Sequence, residues 1–146
     1  MQRTTIYGFT LIELLVVMAI IGILASVVTV SLQAARARAR DSQRSTDVST
    51  ILNAVYQYTL DNNSQLPPAI TLATTTICRS DAVSCTGLAD LSVLTTGQAY
   101  LPLMPADPQS TSTNATGYTI VKNTNSRITV SAPNTEASST SISITR

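Results

Sequence analysis

The chain has 146 residues, 12% of them charged and 44% hydrophobic, with a formal net charge of +1. That is room for one small domain and an anchor, and a charge so near neutrality points to neither nucleic acid nor an acidic partner. With no histidine and no tryptophan, imidazole-based catalysis is excluded and zinc chemistry loses its commonest nitrogen ligand.

Reading from the N-terminus, the segment "MQRTTIYG" carries one charge, Arg3, and is followed by a strongly apolar run. No charged residue occurs from Leu14 to Ala35. At the rise of an α-helix this stretch is roughly 33 Å long, enough to cross the hydrocarbon core of a bilayer. It is longer than the apolar region of an ordinary secretory signal, although a cleavage site at the small residues of "ARA" just beyond it is the alternative. Glu13 stands near the start of the run, where an ionised carboxylate gains nothing for an anchor alone and costs free energy to bury. The charges that flank the run pose a second problem. Arg36, Arg38, Arg40 and Arg44 follow it closely, and the positive-inside rule would place them in the cytoplasm.

"GFTLIELLVV", residues 8–17, resembles the signal of type IV pilins and of the pseudopilins of type II secretion. The resemblance is close over residues 8–40 and only general in layout beyond. It implies a leader, residues 1–8, cut between Gly8 and Phe9 by a membrane-embedded prepilin peptidase, with Phe9 then N-methylated. It places Glu13 at the fifth position of the mature chain, where the family carries its glutamate, and Thr10, Leu11, Ile12, Leu14 and Leu15 fit the same pattern. Phe9, Thr10 and Glu13 are then the residues of filament assembly, the Glu13 carboxylate of one subunit pairing with the Phe9 ammonium of its neighbour. Such a pair recovers much of the cost of a buried charge and rewards one axial register, as a buried polar residue does in a coiled coil. One departure is Val30, where many members of the family have proline. Without that ring the helix interior keeps its hydrogen bond, and Gly22 is left as the weaker point of flexibility.

Helical periodicity continues beyond the run. Val48, Ile51, Leu52, Val55, Tyr56, Tyr58 and Thr59 share one broad face, opposite Ser49, Thr50, Asn53, Gln57 and Asp61. This predicts an amphipathic helix ended by "DNNSQLPP", with Asn62 or Asn63 as caps and Pro67–Pro68 preventing continuation. From Phe9 to about Asn62 it would measure roughly 80 Å. Arg36, Arg40 and Arg44, spaced by four, line related positions, and Arg38 has Asp41 three residues on. A solvated, salt-bridged collar that contacts other subunits is the expectation. Lipid head groups and DNA phosphates are the alternatives, and no aromatic or base-reading groups are interleaved to favour DNA.

Cys78 and Cys85 enclose "RSDAVS". They form a disulfide if this part lies outside the cytoplasm, and are otherwise two thiols. "GYTIVKN" at 117–123 and "SRITVSA" at 126–132 alternate apolar and polar residues around "NTNS", which predicts a hairpin. "SISITR" at 141–146 is a candidate third strand. "LADLSVLTT" at 88–96 reads as a short helix or a turn, and "YLPLMPADP" at 100–108 as extended and broken by proline. Asp107 has no carboxylate neighbours in sequence to make a calcium loop, so no metal and no cofactor is expected.

The fold class expected is α+β: a long N-terminal helix packed on a small antiparallel sheet. Its divisions are the leader 1–8, a membrane or filament-core helix 9–35, an amphipathic half 36–62 and a β head 63–146. The function the resemblance implies is structural rather than enzymatic. The chain would be a subunit of a type IV pilus-like filament, its partners being other copies of itself, the prepilin peptidase and the assembly machinery of the cytoplasmic membrane. The alternative is a pseudopilin of a secretion or DNA-uptake apparatus. A ligand of the head, DNA or a surface, is left open. Against an enzyme, the sequence shows no carboxylate pair and no nucleophile elbow.

Overall fold

A computed structural model describes residues 8–146, the side chains of residues 28–30 excepted. Arg3 and the rest of the expected leader up to Tyr7 lie outside the described residues. A single long helix, α1, covers Leu11–Asp61. After it come β1 (Thr75–Cys78), a short α2 (Ser92–Thr95) continued by a 3-10 turn, β2 (Ala115–Lys122), β3 (Ile128–Ala132) and β4 (Ile142–Thr145). The chain divides into two compact units, one up to Arg36 and the other Ala37–Arg146.

In the first unit the described apolar side chains of α1 are uncovered. Phe9 is 86% exposed and Leu11 82%, and Leu14, Met18, Ile21 and Leu24 are exposed too. By length and composition this helix could cross a membrane. Apolar surface of this extent is unfavourable in water, so the fold itself asks for lipid or other helices around it.

The second unit is an α+β fold in which α1 packs on a four-stranded sheet of order β1-β2-β3-β4, every adjacent pair antiparallel. The helix periodicity chooses the packed face. Val48, Ile51, Leu52 and Val55 are buried, and Asn53 and Gln57 are exposed. The sheet answers with the alternation of its strands: Tyr118 and Ile120 of β2, and Ile128, Val130 and Ala132 of β3, join the same core. Leu91, Leu94, Leu101 and Met104, from the connection between β1 and β2, close it on another side.

The end of α1 is set locally. Asn63 and Ser64 take positive φ (53° and 63°), and the Ser64 N–H donates to the Thr59 carbonyl at 2.8 Å, the left-handed cap that satisfies a terminal carbonyl. Asn62 donates its side-chain N–H to the Tyr58 carbonyl at 2.8 Å. Beyond this cap Pro67 and Pro68 stop the helix.

Cys78 and Cys85 are joined by a disulfide, Cα–Cα 5.5 Å. It closes a short loop at the end of edge strand β1, next to backbone bonds between Cys78 and Ala89 (2.9 Å) and between Ala89 and Thr76 (2.8 Å). Cross-linking a loop of this size removes about 2–3 kcal/mol of chain entropy from the unfolded state. Urea unfolding of the full chain in detergent, with and without reductant, is expected to differ by that amount. Equal midpoints would mean that the backbone bonds alone hold the loop.

Candidate functional site

Among the described residues two groups carry chemistry, one in each unit. The first begins at Gly8 and Phe9, both exposed. The Thr10 N–H donates to Glu13 Oε2 at 2.9 Å, and its hydroxyl donates to the same oxygen at 2.7 Å. The Glu13 N–H donates back to Thr10 Oγ1 at 3.3 Å. This is a capping box, in which a hydroxyl residue and a glutamate three positions on each satisfy an orphan donor of the first helical turn. The negative charge also lies at the positive end of the helix dipole. The spacing Thr-x-x-Glu that announces such a box is present at residues 10–13. Among the described residues only Oε2 is engaged, so Oε1 remains available to a further donor. Among the described residues nothing lies within 4 Å of where a Gly8 Cβ would stand, and its backbone needs no positive φ.

The second group lies between α1 and the head loops. Arg44 is expected as part of a solvated collar, and the structure corrects this: its side chain is fully buried. Nε and Nη2 clasp the two oxygens of Asp107 at 2.9 and 3.0 Å. Nη1 donates to Asp41 at 2.7 Å and to Glu136 at 2.9 Å, and Nη2 also donates to the Gln109 side-chain oxygen at 3.3 Å. All five guanidinium N–H donors are thus used. The partner three residues from Asp41 is Arg44, not the Arg38 that sequence spacing offered. Asp41 also accepts the backbone N–H groups of Glu136 (3.1 Å) and Ala137 (2.7 Å), and Arg40 pairs with Glu136. Deeper in, the Tyr118 hydroxyl donates to Asp47 at 2.7 Å, which Gln43 also bonds at 2.7 Å. Gly117, at φ +88°, lets the loop approach: a Cβ there would lie 3.0 Å from that of Asp107.

The network ties three segments distant in sequence, α1, the 104–110 loop and the 133–141 connection, into one register. Its electrostatics follow from the contacts. Hydrogen bonds from Arg40, then Arg44, hold the Glu136 carboxyl down at about 2. Burial, reinforced by the Asp47 carboxylate, pushes the Tyr118 phenol far up. Burial acts to raise Asp41, but the N–H groups of Ala137 and Glu136 and the Arg44 guanidinium outweigh it and lower the carboxyl. A carboxyl depressed on folding contributes stability above its unfolded pKa, near 4.3, and that contribution is lost as the pH falls toward the folded value. Full-chain stability is therefore expected to decline between about pH 4.5 and 2, and Glu136→Gln is expected to flatten that decline in urea titrations at successive pH values. An unchanged slope would detach Glu136 from the acid response.

Among the described residues no cluster of three or more His, Cys, Asp and Glu side chains is placed to hold a metal ion. Asp107, the one residue that the sequence offered for a calcium loop, faces the Arg44 guanidinium instead.

Residues 4–29 match the prokaryotic N-terminal methylation motif. The chain is 33% identical over 101 residues to the type II secretion system core protein G of Escherichia coli, covering 69% of this chain and 65% of that protein. It is 41% identical over 63 residues to the protein of the same name from Aeromonas hydrophila, covering 43% of this chain and 44% of the relative. It is 49% identical over 57 residues to the type IV wide pilus major component PilA4 of Thermus thermophilus, covering 39% of this chain and 44% of the relative. Each match spans less than two thirds of the relative's own length. No solved structure matches the chain.

Proposed function

We propose, from the premise that this chain belongs to the pilin and pseudopilin family, that it is a structural subunit of a type IV pilus-like filament. It is made as a precursor inserted once in the cytoplasmic membrane, with its head on the outer side. Prepilin peptidase hydrolyses the Gly8–Phe9 peptide bond, releasing residues 1–8 and leaving an α-amino group on Phe9 that is then methylated. The assembly machinery of the membrane packs the mature helix into a bundle of identical helices. The observation that supports this reading is the junction itself: a glycine that no described residue crowds, an exposed Phe9, and beyond them a capped, uncovered apolar helix.

In the assembled bundle Glu13 has two tasks. Oε2 caps its own helix, and Oε1 accepts from the Phe9 ammonium of the next subunit. The 101-residue match to a type II secretion core protein favours one second reading, a pseudopilin of a secretion or DNA-uptake apparatus, built by the same chemistry into a shorter fibre. Either reading makes the protein structural and not an enzyme.

Co-expression with a prepilin peptidase tests the first step. Wild-type chain is expected to lose the eight-residue leader, and Gly8→Leu, which the fold accommodates, is expected to remain uncut while its head unfolds at the wild-type urea concentration. Cleavage of Gly8→Leu at the wild-type rate would remove Gly8 from the recognition site.

A further inference from the structure

The arginines that follow the apolar run divide into two kinds. Arg40 and Arg44 are neutralised within the head by Glu136, Asp41 and Asp107. Arg36 and Arg38 are exposed, and among the described residues neither has a hydrogen-bond or ion-pair partner. They come immediately after Ala35, the last residue of the uncharged run, at the depth where a helix that spans the hydrocarbon meets phosphate.

We propose that Arg36 and Arg38 bind the phosphate groups of anionic phospholipids in the leaflet through which α1 leaves the membrane. The inference rests on the membrane-inserted precursor proposed above. Two residues apart on a helix, the side chains point in directions about 200° apart. A neighbouring protein subunit on one side would meet one of them, whereas a leaflet surrounds the helix and meets both. The long apolar stems reach along the helix while the guanidinium stays at the polar surface, and its planar fork matches phosphate oxygens in pairs. The assignment also addresses the conflict with the positive-inside rule. Two of the four cluster charges are cancelled by the folded head, and the other two are held by lipid charge on the outer side.

The test uses the full chain in bilayer nanodiscs of mixed phosphatidylethanolamine and phosphatidylglycerol. The retained lipids are counted by native mass spectrometry. Wild type is expected to retain phosphatidylglycerol preferentially. Arg36→Gln and Arg38→Gln are each expected to weaken that preference about fivefold, and Arg127→Gln, an equal change of charge in the β2–β3 turn, is expected to leave it unchanged. The proposal is overturned by an unaltered preference in the double variant, or by an equal loss in Arg127→Gln. Unaltered lipid preference with loss of filaments would assign the two arginines to contacts between copies, against the proposal. A chain that fails to enter the nanodiscs would instead overturn the membrane reading beneath it.

Discussion

Replacing Arg44 with methionine is expected to destabilise residues 37–146 by about 3–5 kcal/mol, the usual consequence of removing one partner from a buried ionic group. The side chain is fully buried, with five donors on four acceptor side chains. Methionine fills similar space but leaves Asp107 buried with its bidentate partner gone, and Asp41 and Glu136 facing each other with less positive charge between them. A domain of this size has a total stability of about 5–15 kcal/mol, so the variant sits close to unfolding at ambient temperature. Arg44→Lys keeps the charge but offers three donors from a single atom, and is expected to lose an intermediate amount. Urea unfolding of the full chain in detergent reads both. A methionine variant within 1 kcal/mol of wild type would show that the network contributes register and little stability.

Glu13→Ala is expected to lower filament yield more than a hundredfold while leaving the head intact. The change removes the carboxylate that caps the first turn, a loss of about 1 kcal/mol, and, under the proposed pairing, it leaves the Phe9 ammonium of the next subunit without a partner inside the bundle, a loss of about 3 kcal/mol or more. The second effect decides, because each subunit added to the polymer meets it again. Glu13→Gln separates the two. It retains an oxygen that can accept from Thr10, and so retains most of the cap, but it has no charge for the ammonium. If glutamine assembles as wild type does, Glu13 serves as a cap and its charge has no part in assembly. If glutamine fails as alanine does, the charge pair is the cause. Pelleting of sheared filaments, with urea unfolding of the same variants as the control for folding, distinguishes the outcomes.

The parts of the fold legible in the sequence are those that local periodicity encodes. Val48, Ile51, Leu52 and Val55 announce their helix face by spacing, and residues 117–132 announce a hairpin by alternation around "NTNS", found as β2 and β3. β1 is not legible because four residues, Thr75–Cys78, carry too little pattern among so many hydroxyls, and their partner strand lies about forty residues further on. Arg44 was not legible for a similar reason. Asp41 has an arginine three residues away on each side, so helix spacing cannot choose between Arg38 and Arg44, and the choice is made by Asp107 and Glu136, which only the tertiary fold brings near. At the N-terminus the opposite holds. The capping box of Thr10 and Glu13 is written in four consecutive residues and needs no tertiary contact to form.

The intact mass of the protein recovered from filaments sheared off cells tests leader removal and polymerisation together. The expected chain begins at Phe9, lacks residues 1–8 and carries one added methyl group, with a further gain of two hydrogens on reduction of Cys78–Cys85. A protein found only in membranes, with Met1–Gly8 still attached, would contradict it and leave Glu13 as the cap of an ordinary anchor helix.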